Sequence, residues 1–459
     1  MAEPNSALAE LIAEADRLCG CSAAGLARRV NDLGRTVAGV ELSYDYSAVY
    51  RWVKKGERPR SPVPGLIATA LSEKLGRSLT AADLDMAEEN SLAGRSLVYA
   101  SDPLASVDTV WELGRADVKR RDVVTKSPFV LAALAPPSRD WLLATLGATA
   151  GSGGPRKVGM RQVEGIRHMF RLFQEMDVMR GGGHGRVALV EYMNSYVLPL
   201  LKRDHKDGVR LALFEAASEH AYLAGWMAYD DGLHGLAQRY LIQSLRLAQA
   251  AANPALGAHV LAGMSDQANL LGHPAEALSL ALAGQRGITA DDSPACLADL
   301  YVLEGRAHAA RGDGHAAAIA VGRAEQAFGN VVPGNEPEWA RFIDAAYLFG
   351  EAALCFRDLG QPDDIDRFAL ESAAAAKQQR RARRGALSHG ALAVAHLRRG
   401  EPDAAAHEGL TVCRMAALVE SSRCRQTVRD LRQLLAPYKA LSAVAEFDQQ
   451  ANDLLTVAA

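Results

Sequence analysis

The strongest chemical signal in this 459-residue chain lies between positions 46 and 60, where Tyr46, Ser47, Tyr50, Arg51, Lys54, Lys55, Arg58 and Arg60 fall close together. A helix beginning near Asp45 and closed by Gly56 would turn Val49, Trp52 and Val53 inward. It would leave the hydroxyls and cations on the outer face. Early positions of such a helix suit base edges, while Lys54, Lys55, Arg58 and Arg60 suit phosphates. The neighbourhood agrees: Arg17 to Arg60 holds nine Lys/Arg against four Asp/Glu, in a chain whose net charge is −3. Local asymmetry of this kind points to a polyanion. The ordinary alternative is a helical domain with a solvated basic face.

A second cationic cluster, Lys377, Arg380, Arg381, Arg383 and Arg384, spans about two helical turns. It suits an anionic ligand or a partner, or else a solvated helix face. Catalytic constellations are not evident. The twelve histidines form no HExxH. His205, His234, His273 and His315 fall near expected turns and are expected at the surface. Asp230-Asp231 and Asp363-Asp364 are adjacent pairs, and neighbours on a helix do not face each other as an acid/base dyad must. Gly181-Gly-Gly-His-Gly185 lacks the Lys-Ser/Thr of a phosphate loop and reads as a helix connection. The six cysteines make no CxxC and read as free thiols of a reducing cytoplasm. No enzyme activity, metal or cofactor is implied.

The elements that must position these residues are helical. Hydrophobic residues make up 49% of the chain and charged residues 23%, aromatics are sparse, and alanine is heavy. Alanine is the best helix former and lets helices pack closely, so the expected class is all-α. The most apolar stretch, Phe129 to Leu146, is broken by Pro136, Pro137, Arg139 and Asp140 and cannot span a membrane. Residues 1–90 read as five short helices. Leu8, Leu11, Ile12 and Ala15 face inward in the first, and Ser22 caps the second over Leu26, Ala27, Val30 and Leu33. The helix of Trp52 is third, Pro64 to Gly76 make the fourth, and Thr80 to Leu84 the fifth. Residues 91–157 read as transitional, with a helix over Pro103–Val118 and a flexible linker at Ala148–Pro155.

From about Val158 to the C-terminus the pattern repeats. Gly232, Gly272, Gly312, Gly360 and Gly400 each precede a short polar turn, at spacings of 40, 40, 48 and 40 residues. A small residue sits twelve positions before a recurring alanine: Gly225 before Ala237, Ser265 before Ala277, Gly305 before Ala317, Ala393 before Ala405. Small residues there let two helices of a hairpin approach closely, and hairpins must stack to bury their faces. Residues 158–201, around Gly181–Gly183, read as an irregular first unit, and Gln426 to Leu455 as one or two capping helices.

The stretch Tyr46-Ser-Ala-Val-Tyr-Arg-Trp-Val-Lys-Lys-Gly-Glu-Arg-Pro59, with Leu26-Ala27, Ala70 and Leu75-Gly76, resembles the lambda-repressor-like (XRE-type) helix-turn-helix domains. It departs from them at Gly34 to Leu42, which lengthens the connection between helices two and three. Residues 160–410, within the repeat domain 158–459, resemble tetratricopeptide (TPR) repeats through the glycine and alanine positions above. With both, and with segments such as Ala224-Gly-Trp-Met-Ala-Tyr-Asp-Asp-Gly232, the chain is similar to the actinobacterial helix-turn-helix/TPR regulators of development and secondary metabolism. Their layout is similar to that of regulators whose TPR domains sense short peptides. The resemblance implies an N-terminal domain that binds double-stranded DNA and a C-terminal α-solenoid that binds a peptide or small-molecule effector and forms a homodimer. The alternative is a TPR interaction scaffold without sequence-specific DNA binding.

Overall fold

A computed structural model describes residues 4–36, 40–59, 62–77, 79, 81, 83–84, 86, 92–119, 127–147, 160–332 and 334–456. Among these the chain is all-helical, with no strand, in a repeat-like arrangement. The front contains α1 (Ser6–Cys19), α2 (Ala23–Thr36), α3 (Tyr46–Lys54) and α4 (Val63–Leu75). Each of the first three starts has a local cause. The Asn5 side chain accepts from the Leu8 amide, Ser22 from Gly25, and Asp45 from Ala48, satisfying amides that the first turn leaves unpaired. Gly20 and Gly76 end α1 and α4 in the left-handed conformation that glycine adopts without strain. Leu8, Leu26, Val49, Trp52, Ile67, Leu71 and Leu84 form a core separate from that of the rest of the chain. The expected fifth helix does not form among the described residues: Ala81, Asp83 and Leu84 lie in turns, and Thr80 falls outside them.

The transitional segment packs on the repeat region. In α5 (Pro103–Val118), Val107, Val110 and Leu113 are buried in the large core, as is Trp141 of α6 (Ala135–Gly147). The expected linker Ala148–Pro155 lies outside the described residues.

The repeats begin with α7 (Met160–Arg180) and α8 (Gly182–Tyr192), the latter continued by a wider turn over Met193–Val197. Next come five hairpins: α9/α10 (Asp207–Asp230, His234–Ala250), α11/α12 (Pro254–Leu270, Pro274–Gln285), α13/α14 (Pro294–Ala310, Gly314–Phe328), α15/α16 (Ala345–Leu359, Pro362–Gln378) and α17/α18 (Ala382–Arg398, Pro402–Ala416). The pair α19 (Ser422–Leu435) and α20 (Ser442–Thr456) closes the array. All five phase-marking glycines have φ between 70° and 80°, so each supplies the left-handed turn inside a hairpin. The small positions work as expected. Ser265 donates its hydroxyl to the Ala277 carbonyl at 2.8 Å, and a Cβ on Gly225 would stand 3.2 Å from the Ala237 carbonyl oxygen.

The first helices of successive hairpins pack on one another from α9 through α19, while the second helices of the five hairpins pack on first helices. The first helices therefore line the inside of the curve. The curve closes, because α17 packs on α7. The Glu420 amide donates to the Arg180 carbonyl at 2.8 Å, and the Gly183 amide to the Glu420 carbonyl at 3.2 Å. Gly181 permits this approach: its φ is 88°, and a Cβ there would lie 2.4 Å from the Glu420 carbonyl oxygen. The eight extra residues of the 48-residue spacing fall in the connection between α14 and α15, which turns into the inside of the curve.

Candidate functional site

Helix α3 stands on α2 through its buried face. Val49 and Trp52 are buried, and Trp52 meets the Tyr44 ring edge-on at 5.0 Å. The long connection before α3 is pinned by Asn31 of α2. Its side-chain amide donates to the Tyr44 carbonyl at 2.8 Å, and its carbonyl accepts from the Tyr44 amide at 2.9 Å. Residues 37–39 of that connection are outside the described residues; the Val40 amide donates to the Gly34 carbonyl.

The outward face carries the residues expected there. Tyr46 and Tyr50 are 60% and 47% exposed, a large aromatic area to leave in solvent. Ser47, Lys54, Lys55 and Arg58 are also exposed, and Arg51 is half-buried. Arg51 is held along the face by Glu57 at 3.1 Å and the Ser47 hydroxyl at 3.3 Å. Arg60 lies outside the described residues. The rest of the chain approaches the front through α2 and α4. Arg29, Leu33, Thr69 and Glu73 form one wall of a cleft, and Phe129, His234, Leu271 and His273 the other. His234 and His273, expected at the surface, are half-buried there. Burial lowers the basicity of both, His234 to about 4.

The second cationic cluster divides. Lys377 and Arg380 are exposed, but Arg381, Arg383 and Arg384 are buried and each is already paired. Arg381 meets Asp344 at 2.5 Å, Arg383 meets Asp177 at 2.7 Å and Asp230 at 2.8 Å, and Arg384 meets Glu351 at 2.8 Å. They belong to a larger network inside the curve. Arg306 bridges Asp266 and Glu351 at 2.9 and 2.7 Å, and Arg423 of α19 reaches Asp230 at 3.2 Å and Asp266 at 3.5 Å. Burial disfavours the charge on Glu351, but Arg306 and Arg384 outweigh it and hold the carboxyl at about 2. Burial likewise opposes ionised Asp230, and Arg383 and Arg423 prevail and lower it. Sequence reading named Asp230 only as half of an adjacent pair unsuited to acid/base work, and missed Asp177, Asp266, Asp344, Glu351, Arg306 and Arg423. Asp266 is the one acid of an alanine-rich helix, whereas Asp177, Arg306, Glu351 and Arg423 each lie among other charges in their helices, so only the 40-residue offset between Asp266 and Arg306 relates any of them.

Above the ion pairs lies an aromatic layer: Tyr222 and Trp226 from α9, His259 from α11, Tyr347 from α15, and Trp339 and Phe342 from the inserted connection. Tyr222 and His259 have ring centres 4.0 Å apart, and His259 stacks on Trp339 at 5.0 Å. Burial pushes His259 down to about 3, so it is neutral. Five of the six cysteines are buried and Cys19 is exposed; burial raises Cys296, Cys355, Cys413 and Cys424, which leaves them unreactive thiols. Among the described residues no cluster of His, Cys, Asp and Glu could hold a metal ion, and no helix is long and apolar enough to cross a membrane.

Residues 3–87 match the model of the family described as the SP15 N-terminal domain, less than a fifth of the chain. The match takes in every buried residue of the small core, from Leu8 to Met86. No curated protein and no solved structure matches the chain.

Proposed function

We propose that this chain is a DNA-binding transcription regulator. On this reading α2 and α3 act as a helix-turn-helix of the lambda-repressor-like kind. The hairpins act as a divergent TPR array that docks an effector or partner and supports a homodimer. The observation that carries the reading is the outward face of α3, with Tyr46, Ser47, Tyr50, Lys54 and Lys55 exposed and Arg51 half-buried among them, backed by a buried Trp52 and left clear of the array. In the groove, Tyr46, Ser47 and Tyr50 meet base edges. Lys54, Lys55, Arg58 and Arg60 meet phosphates, and Arg51 exchanges Glu57 for DNA. The resemblance to actinobacterial regulators of development and secondary metabolism carries the same reading. A homodimer would read two half-sites about 34 Å apart.

Selection of bound duplexes from a random pool tests it. The unaltered chain should enrich a site with two related halves, and Tyr50→Ala should change the enriched bases without abolishing retention. A pool that stays random, or an enriched site that Tyr50→Ala leaves unaltered, would overturn the assignment of α3.

A further inference from the structure

The inside of a helical array is the face on which it meets partners, and here that face is already filled by a piece of the same chain. Residues 334–344, which contain the excess over the 40-residue repeat, cross from α13 to α17 over the first helices. Glu336 accepts from the Ser293 hydroxyl at 2.5 Å and from the Ala295 amide at 3.3 Å, at the start of α13. Glu338 faces Arg171 of α7 at 3.6 Å. Trp339, 2% exposed, stacks on His259. Phe342 lies 6.3 Å from Trp226 and 5.2 Å from Tyr347, ring centre to ring centre, and its carbonyl accepts from Arg381 at 3.3 Å.

The attachment differs from that of the helices. The backbone–backbone hydrogen bonds made by 334–343 to the residues before α15 are local, running from Asn335 to Val332, Ala340 to Pro337, Arg341 to Glu338 and Ile343 to Ala340. Only one 3-10 turn, Glu338–Ala340, is formed. Side chains hold the segment in place, as they hold a bound peptide. The segment buries Trp339, Ala340 and Ile343 against the large core, but it also covers polar groups that it does not pair. Among the described residues, neither ring nitrogen of His259 is hydrogen-bonded and the Nε of Arg381 finds no partner, although both side chains are buried. Water can pair these groups only when the segment leaves, which offsets part of the cost of exposing Trp339, Ala340 and Ile343.

We propose that the inner face of the array is a docking groove for a protein segment bearing glutamates and aromatic rings, and that residues 334–344 are its in-chain occupant. The chemistry of the occupant defines the partner. The groove takes one carboxylate at the start of α13, a second beside Arg171, an indole on His259 and a phenyl ring against Trp226. A partner segment of that kind binds by displacing 334–344, so its apparent affinity is reduced by the fraction of time the groove is occupied. This rests on the partner-docking half of the proposed function and is independent of DNA.

The test uses the full chain and a labelled synthetic peptide of residues 334–344. In one variant, residues 334–343 are replaced by a Gly/Ser sequence of equal length, keeping Asp344 as the cap of α15. The expected result is that the variant retains its helical signal and binds the peptide at least tenfold more tightly than the unaltered chain does. A Trp339→Ala peptide should lose that gain. Equal binding to both chains, or a gain that survives Trp339→Ala, overturns the proposal. If the replaced chain does not fold, hydrogen exchange on the unaltered chain decides. Amides of 334–343 exchanging at least a hundredfold faster than those in the centres of α13 and α15 support a displaceable occupant, and exchange together with those helices refutes it. No arm contains DNA, so a failure here leaves the assignment of α3 standing.

Discussion

Glu219 is a side chain in conflict with its surroundings. It is buried in α9, and its Oε2 has no hydrogen-bonding partner among the described residues. Burial, reinforced by Glu215, raises its carboxyl from 4.5 to about 8. The folded chain therefore keeps a proton that the unfolded chain releases above about pH 4.5. The resulting loss of stability starts there, grows as pH rises, and levels off above about 8. Glu219→Gln, neutral at every pH, removes it. Urea unfolding should show no advantage for the variant at pH 4, roughly 3 kcal/mol at pH 7, and a plateau beyond pH 8. An advantage independent of pH would mean that Glu219 is ionised in the folded chain. Nothing in Ala-Ser-Glu-His-Ala marks residue 219 as buried, because its burial depends on α7 and the inserted connection closing over it. Tyr50 and Lys54 were legible because their exposure comes from the register of one short helix.

At the scale of elements, glycine and alanine phase set the hairpins, and those residues act through contacts only a few positions away in space and sequence. The connection between α2 and α3 is different. Gly34 to Leu42 departs from the short turn of the helix-turn-helix family, and the structure supplies a specific device, the paired Asn31–Tyr44 bonds. Asn31→Ala should cost about 1–3 kcal/mol by leaving the Tyr44 amide and carbonyl without their partner. It should weaken DNA binding more than the same loss of stability elsewhere in the front, because it frees the angle of α3. Thermal melting and DNA affinity, measured on the same variant, check this; unchanged affinity would show that α3 is positioned by its core alone. The insertion before α15 was visible as a 48-residue spacing, but its path was not, since Trp339 finds His259 only after the hairpins between them have curved.

Across the whole molecule, the two ends of the array meet. Arg383 joins Asp177 of α7 to Asp230 of α9, and the start of α19 adds Ser421 and Arg423 to the same carboxylate. Closure turns a stack whose units contact only neighbours into one in which first and last units stabilise each other. Arg383→Ala leaves two buried carboxylates short of a counter-charge, at a cost of about 3–5 kcal/mol. Hydrogen exchange should quicken in α7, α8 and α19 together, with α11 to α14 least affected. Acceleration confined to α17 would contradict a closed array.

The central claim is that α3 meets DNA, and the most direct test is the salt dependence of duplex binding by the full chain, unaltered and with Lys54→Ala and Lys55→Ala combined. Contact with roughly 4–6 phosphates per copy predicts a slope of log affinity on log salt of about −4 to −5. Losing two contacts should bring that slope about two units closer to zero while the melting temperature holds. A slope near zero for the unaltered chain, or an equal slope in both, would contradict the account.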